Sequence, residues 1–531
     1  MARASGREAS DRGQVLAFLS SPESYPGRPE PIVREETHGA LVFLAGDEAW
    51  KIKREVAFPY MDFSTLEKRR AACAREMEIN RPLAPEIYLG CVPITRRRDG
   101  RLAFGGPGEI VEWAVHMRRF DQSSVLANIA DAKGIALDLA KSLADAVFES
   151  HEAAARCDTV TGAAPMRRLL AAVSQGLGKL EAFAASKVES LSALARSQLG
   201  RVGALLDERA RLGRVRRCHG DLHLGNIVLW RGRPVLFDAI EFDEAIATID
   251  TLYDLAFLLM DLDFRGQRKA ANVVFNRYLW CAGEVDIEGL KALPLFLALR
   301  AAIRAMVTAE RAEQAASRSA ADLKLARRYL SAAATYLVPV EPRLVAVGGL
   351  SGTGKSTLAA ALAPALGRAP GAVHLRSDLE RKSLFGVGEL VRLGPACYTQ
   401  EASDKVYASL GAKARMAAAA GQAVIVDAVF AKPEERSAAE KIASDLGLPF
   451  QGLWLTAAPE ALLERVRGRR NDASDATAEV IAAQLGWDTG SLSSAWHVLR
   501  AGGSAEETLR RASEVVGRRD PPARPRRRPK A

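Results

Sequence analysis

No two cysteines in this chain of 531 residues are close enough in sequence to form a metal or redox motif. The six, Cys73, Cys91, Cys157, Cys218, Cys281 and Cys397, are scattered without a C-x-x-C pair, which argues against zinc ribbons, thioredoxin-like chemistry and a disulfide scaffold. Scattered thiols fit a reducing compartment, so a cytoplasmic location is expected. Residues 1–8 lack the apolar core of a secretory signal. A long apolar run is missing too. The most apolar helical stretch, residues 290–307, carries Lys291, Arg300 and Arg304 and is too short and too charged to span a bilayer. No membrane association is expected. Internal repeats are absent, and so is a G-x-G-x-x-G loop near the N-terminus, where Thr37-His38-Gly39-Ala40 is the nearest approach to one.

What is present is an ordinary globular composition, 48% hydrophobic and 26% charged, with length for two to four domains. The net charge of +10 is unevenly placed. Residues 517–531 hold seven basic side chains and one Asp, +6 of that total, so the remainder is only +4. A basic, Pro-rich tail can touch nucleic acid, but its composition reads first as a solvated, disordered end. Two closely spaced prolines, Pro339 and Pro342, follow a long Ala-rich helical pattern and mark a linker at 339–343.

Ahead of this linker a strand-rich lobe precedes a helical one. Residues 39–44 and 49–52 read as paired strands around Gly46-Asp47, and residues 64–80 as a helix with Ser64 as N-cap and Glu67 completing a capping box. Behind the linker, apolar strands at 344–347, 373–375, 424–427, 452–456 and 496–499 alternate with helical segments, the pattern of a parallel sheet covered on both faces.

The sharpest motif is Gly349-Leu350-Ser351-Gly352-Thr353-Gly354-Lys355-Ser356-Thr357, a complete G-x-x-x-x-G-K-[ST] between an apolar strand and a helix over 357–366. The glycines let backbone N–H groups turn toward phosphate oxygens, and the helix N-terminus adds partial positive charge. Lys355 is placed to reach the β- and γ-phosphates and Ser356 to ligate Mg²⁺. At the end of the next strand, Asp378 is a candidate general base for a substrate hydroxyl, or else a helix N-cap. Arg376 and Arg381 are candidates for holding an anionic group. Asp427 ends a strand where a carboxylate would order the Mg²⁺ shell, and the arginines of residues 465–470, Arg465 and Arg469 among them, suit a lid over phosphates. These residues make this half similar to P-loop kinases of the gluconate kinase, zeta-toxin and polynucleotide 5′-kinase type.

The second informative stretch is Cys218-His219-Gly220-Asp221-Leu222-His223-Leu224-Gly225-Asn226. Asp221 and Asn226 have the Asp-to-Asn spacing of a kinase catalytic loop. Asp221 would orient or deprotonate the acceptor hydroxyl, and Asn226 would ligate Mg²⁺. The strand over 234–237 then delivers Asp238 as the second metal carboxylate. His219 and His223 lack a third ligand nearby and make a poor zinc site. Lys51 and Lys53 share one strand face. Lys51 is preferred as the phosphate-binding lysine because Ala49-x-Lys51 mimics V-A-I-K. Glu76 is its expected helix partner, with Glu78 the alternative. Residues 111–115 read as the strand leading to an interlobe hinge, and Asp250 and Asp254 are placed to brace the catalytic loop.

The H-G-D-x-H-x-x-N wording resembles aminoglycoside phosphotransferases and the related choline and fructosamine kinases. The whole chain resembles bacterial fusions of such a module with a P-loop ATPase or kinase module. That resemblance implies an N-terminal bilobal α+β protein-kinase-like module over 31–338 and an α/β P-loop module over 344–516; it leaves out residues 1–30, expected as a flexible segment, and residues 517–531, expected as a disordered tail. It also implies ATP and Mg²⁺ as cofactors and transfer of a γ-phosphoryl group to small-molecule hydroxyls in both modules. Two alternatives stay open: a ligand-sensing first module regulating a P-loop ATPase, and a polynucleotide 5′-hydroxyl kinase aided by the tail.

Overall fold

The alternation in Glu48–Lys53 sets the two faces of the first sheet. Trp50 and Ile52 point to one side with Phe43, and Lys51 and Lys53 to the other. The structure, a computed structural model, describes residues 2–37, 39–58, 61–157, 161–314, 319–468 and 472–517. It divides into two compact units, residues 1–164 with 207–265, and 165–206 with 266–531.

In the first unit, six antiparallel strands lie in the order Val33–Glu36, Ala40–Ala45, Glu48–Lys53, Glu109–Arg118, Tyr88–Arg96, Leu102–Phe104. The apolar face is covered by the helix Ala2–Ser20, whose Val15 and Leu19 are buried against Phe43, Trp50 and Ile94. The Phe18 and Phe104 rings are 4.9 Å apart, and the Tyr25 hydroxyl donates to Leu19 O at 2.6 Å. The expected flexible segment over 1–30 is therefore corrected. Its apolar residues at 15, 16, 18 and 19 form a helical stripe with a sheet face to cover. The lysine face carries the helix Leu66–Asn80, which buries Cys73, Glu76 and Asn80. Its cap is Thr65, whose Oγ1 accepts from Lys68 N at 3.3 Å. Ser64, the expected cap, instead donates its hydroxyl to Asp62 at 2.6 Å. Beyond the sheet, the hairpin Ile227–Trp230 with Arg233–Leu236 and the pair Val215–Arg217 with Thr248–Asp250 flank the residue 218–226 loop. The apolar helix Thr251–Phe264 lies behind it.

In the second unit, five parallel strands run in the order Val373–Arg376, Val424–Asp427, Leu344–Gly348, Phe450–Thr456, Trp496–Arg500. The helix after the P-loop is Lys355–Leu362, starting two residues earlier than expected because Gly354, at φ +90°, already caps it. The 339–343 junction lies inside this unit, since the helices Arg268–Ala282, Leu293–Gln314 and Ala320–Leu337 belong to the same compact body as the sheet. Residues 518–531, nearly all of the basic tail, and Arg469 of the expected lid lie outside the described residues. Among the described residues no helix is long and apolar enough to cross a membrane.

Candidate active sites

The first site gathers on the lysine face of the six-stranded sheet. Lys51 Nζ lies 2.8 Å from Glu76 Oε1 and 2.7 Å from Asp238 Oδ1. Lys53 Nζ lies 2.6 Å from the other oxygen, Glu76 Oε2, and pairs also with Glu241. One fully buried carboxylate thus takes both lysines. Burial would raise the Glu76 carboxyl, but Lys51 and Lys53 hold it down at about 2. The two lysines differ in what else they meet. Lys53 is enclosed, with its side chain 2% exposed and Glu241 at 8%, whereas Lys51 faces Asp238, whose side chain is 46% exposed. Glu78 pairs on the surface with Arg75 at 2.7 Å and does not reach either lysine.

The loop after the strand Val215–Arg217 is held from behind. Asp254 accepts the backbone N–H groups of His219 at 3.1 Å and Gly220 at 3.0 Å, and His151 Nε2 sits 3.2 Å from the same carboxylate. Asp261 accepts Leu224 N at 3.0 Å. Asp250 acts elsewhere, capping the helix Thr251–Phe264 and taking a bidentate pair from Arg209, both at 2.7 Å. Burial lowers the His219 pKa, which favours the neutral ring, with Nε2 donating to Phe237 O at 2.9 Å. His223 packs its ring at a tilt against Phe257, centroids 5.3 Å apart, and accepts Gly225 N on Nδ1. Asn226 spends its amide N–H bonds on the Asp221 carbonyl and carboxylate, both at 3.0 Å, so Oδ1 is the atom left for a cation. Asp238 adopts φ +60°, unusual for a residue with a side chain. Its N–H donates to Tyr88 Oη at 3.1 Å, and Asn80 clamps the next residue, accepting Ala239 N at 2.7 Å and donating to Ala239 O at 3.2 Å. Sequence reasoning missed Asn80, Tyr88, His151, Asp261 and Glu241. The position of Glu241 three residues after Asp238 was the one available signal. Where a Gly-rich loop would lie, Val33–Glu36 and Ala40–Ala45 are joined by three residues, closed by Thr37 N donating to Ala40 O at 2.9 Å.

The second site lies at the carboxyl ends of adjacent parallel strands. Val347, Asp427 and Arg376 stand side by side in register, the crevice where open α/β sheets hold ligands. Gly349 has φ +131°, and a Cβ there would come within 2.5 Å of Leu455 O. At Gly352, φ +83°, the distance to Leu462 O would be 2.8 Å. Ser351 N donates to Gln484 Oε1 at 2.8 Å, and Lys355 Nζ to Leu350 O at 2.9 Å. Thr353 is buried and Ser356 and Thr357 open onto the same cleft of about 1240 Å³, as do Asp378, Asp427 and Arg465. A recess of about 250 Å³ beside it is bordered by Thr353, Thr357, Arg465, Ala501, Gly503 and Thr508. Arg465 bridges toward it, donating to Ala501 O at 2.7 Å.

Asp378 sits in the first turn of Ser377–Leu384. Burial raises its pKa and the Asp427 carboxylate adds to this, against Arg376 and Lys355. Burial pushes Asp427 the same way, yet His374, with Nε2 3.5 Å away, and Arg376 hold it below the ordinary value. Arg376 reaches Asp472 at 3.4 Å. Arg381 is committed to Cys397 O at 2.6 Å and stacks on Tyr398, which occupies the guanidinium proposed for an anionic substrate. Gln484 and His374 went unrecognised in the sequence because nothing local marks a glutamine or a strand histidine as belonging to a site.

Comparison with known proteins defines the class. Residues 66–293 match the phosphotransferase enzyme family and residues 344–488 match the AAA domain family. The chain joins a phosphotransferase module of protein-kinase-like fold to a P-loop kinase-type module with a parallel sheet. The uncharacterized proteins Rv2004c of Mycobacterium tuberculosis and Mb2027c of Mycobacterium bovis are each 31% identical over 514 residues, 93% of this chain and 97% of theirs. The chain belongs to the family of these proteins. Among solved structures, an amicoumacin kinase in complex with AMP-PNP, Ca2+ and Ami aligns with 63% of this chain and 96% of its own, at 14% identity and TM-score 0.39. A gluconokinase from Sinorhizobium meliloti 1021 aligns with 33% of this chain and 91% of its own, at 20% identity and TM-score 0.25. The Mycobacterium tuberculosis APS kinase aligns with 34% of this chain and all of its own, at 21% identity and TM-score 0.26.

Proposed function

We propose that the chain is a tandem ATP-dependent phosphotransferase, each module moving a γ-phosphoryl group from ATP to a hydroxyl of a small molecule. The observation that carries this reading is convergence. Residues far apart in sequence, Lys51, Glu76 and Asp238, meet within 2.8 Å contacts, and Asp221 is bonded to Asn226. Lys355, Asp378 and Asp427 likewise share one cleft. In the first module Asp221 would accept the hydroxyl proton, while Glu76 holds Lys51 for the phosphate oxygens. In the second, backbone N–H groups of 349–355 and Lys355 would bind the phosphates, and Asp378 would take the proton. The raised pKa of Asp378 makes it a stronger base than an exposed aspartate. The 250 Å³ recess, bordered by Arg465, would take the adenine ring.

The residues fit a hard divalent cation. Asp427 is 2% exposed, and its Oδ2 accepts no hydrogen bond among the described residues. Ser356 with Asp427, and Asn226 with Asp238, offer the oxygen donors that Mg²⁺ takes. When bound, Mg²⁺ neutralises phosphate charge.

The test is an ADP-release screen over sugars, amino alcohols, nucleosides and aminoglycosides, with wild type, Asp221→Ala, Asp378→Ala and Lys355→Ala. Turnover of one acceptor should vanish in Asp221→Ala, and of another in Asp378→Ala and Lys355→Ala. Turnover intact in all three variants would sink the assignment. The lack of a G-x-G-x-x-G sequence near the N-terminus favours a second reading in which the first module senses a ligand and regulates the second. Calorimetric titration of the full-length Lys355→Ala protein with Mg·ATP separates the two, since heat is expected only if the first module binds nucleotide.

A further inference from the structure

Val373–Arg376 is an edge strand of the parallel sheet, and an open edge leaves backbone donors and acceptors unpaired. Here the edge is met by the helix Arg268–Ala282, which precedes the Pro-rich junction in sequence and belongs to the same compact unit as the sheet. Asn276 Oδ1 accepts His374 N at 2.7 Å, and Asn276 Nδ2 donates to Ala372 O at 3.2 Å. A carboxamide offers one acceptor and adjacent donors, as a peptide group does, so Asn276 stands in for one residue of a missing neighbouring strand. Asn272, one turn earlier and 4% exposed, donates to the same Ala372 O at 3.1 Å. The approach is close: a Cβ on Gly371, at φ +120°, would lie 2.8 Å from Asn272 Nδ2.

One turn further on, the contacts reach the site itself. Trp280 Nε1 donates to Leu379 O at 3.2 Å, and Leu379 directly follows Asp378 in the first turn of its helix. Arg277 pairs with Glu389 at 2.9 Å. Glu389 lies 4.0 Å from Arg376, whose Nε lies 3.8 Å from Asp427 Oδ2. Residues 272, 276 and 280 recur every four positions and share one helix face. Asparagine is a poor choice for a helix interior, so two of them on this face are accounted for by the strand edge they satisfy.

We propose that this helix is a positioning element of the P-loop site. Asn276 and Trp280 fix the strand-to-helix turn that carries Arg376 and Asp378, and the second reaction therefore depends on residues ahead of the junction. The inference rests on Asp378 being the base proposed above.

The test uses the full chain with Asp221→Ala, so that only the P-loop site turns over. Asn276→Leu with Trp280→Phe keeps bulk and removes the three hydrogen bonds to the strand and turn, together with those from Asn276 Nδ2 to Asn272 O and Oδ1. Amide exchange should rise in residues 373–384 and not in 344–348. The Kd of a fluorescent ATP analogue should stay within about twofold, while kcat for ADP release from Mg·ATP falls roughly 10- to 100-fold with KM for ATP unchanged. A merely structural role would instead raise exchange throughout the sheet and weaken nucleotide binding together with turnover. Unchanged exchange in 373–384, or wild-type kcat despite raised exchange there, overturns the proposal. Asp378→Asn in the same background judges the underlying reading by itself: undiminished ADP release would remove Asp378 as base, while the exchange result still decides whether the helix holds the turn.

Discussion

Replacing Lys51 and Lys53 separately by Met should divide function from stability. Lys53→Met leaves Glu76 and Glu241 buried with one cation fewer, at side-chain exposures of 0% and 8%. Breaking a buried pair by removing one partner costs about 3–5 kcal/mol. For a unit of this size that lowers the melting temperature by roughly 6–20 °C. Glu76 keeps one lysine in either variant, so the difference lies in the second carboxylate: Lys51→Met frees Asp238, which is 46% exposed and meets water, where Lys53→Met frees Glu241 at 8%. The loss there should be smaller than for Lys53→Met, because one of the two pairs broken has a solvated carboxylate. Turnover should show the opposite order. In a Lys355→Ala background, where only the first module is active, Lys51→Met should lower ADP release at least ~100-fold. Lys53→Met should retain most activity per folded molecule at low temperature. Melting curves and single-acceptor ADP release measure both. If Lys53→Met melts within a few degrees of the parent, or if Lys51→Met keeps its turnover, the division of labour between the two lysines is wrong.

Four further outcomes are expected. With Asp221 replaced by Ala, the acid limb of kcat/KM at the P-loop site should lie above the ordinary aspartate value of about 3.9, because burial raises Asp378 and a base must be ionised to act. A limb at or below that value would count against Asp378. Burial lowers His219 and His374, so their neutral forms are favoured in the folded state. Their contribution is complete above about pH 6.5 and is lost as pH falls below it; a flat melting temperature between pH 8 and 5 would contradict this. Gly349→Ala places a Cβ 2.5 Å from Leu455 O at a positive φ, costing at least about 1–3 kcal/mol of strain and abolishing nucleotide binding, whereas Gly354→Ala, also at positive φ, carries the backbone strain but meets no atom within 4 Å and should be milder in a binding titration. Deleting residues 1–20 removes Val15 and Leu19 from the core, each worth about 1.5–3 kcal/mol. A truncated chain as stable to denaturant as the parent would refute the role given to this helix.

The P-loop was legible because its chemistry is local: nine consecutive residues must bend one way to surround phosphates, and no distant partner is needed to recognise them. The strand at 424–427 and the order of alternation were legible for the same reason, as periodicity is carried by neighbours. The residue 218–226 loop was legible through the spacing of Asp221 and Asn226. By itself, then, the sequence determined the two modules, their order and the motif residues each contributes. The tertiary structure decided what depends on contacts between distant segments. It enclosed Lys53 with Glu241 and left Lys51 facing Asp238, a choice that two lysines on one strand face cannot express. It turned residues 2–20 from an apparent tail into the cover of a sheet. It also placed Asn272, Asn276 and Trp280 against a strand about a hundred residues later in the chain, drawing the boundary of the compact units ahead of the prolines that mark it in the sequence. A carboxamide reads as polar helix surface until the strand edge it pairs with is known, and only the fold brings that edge within hydrogen-bonding reach.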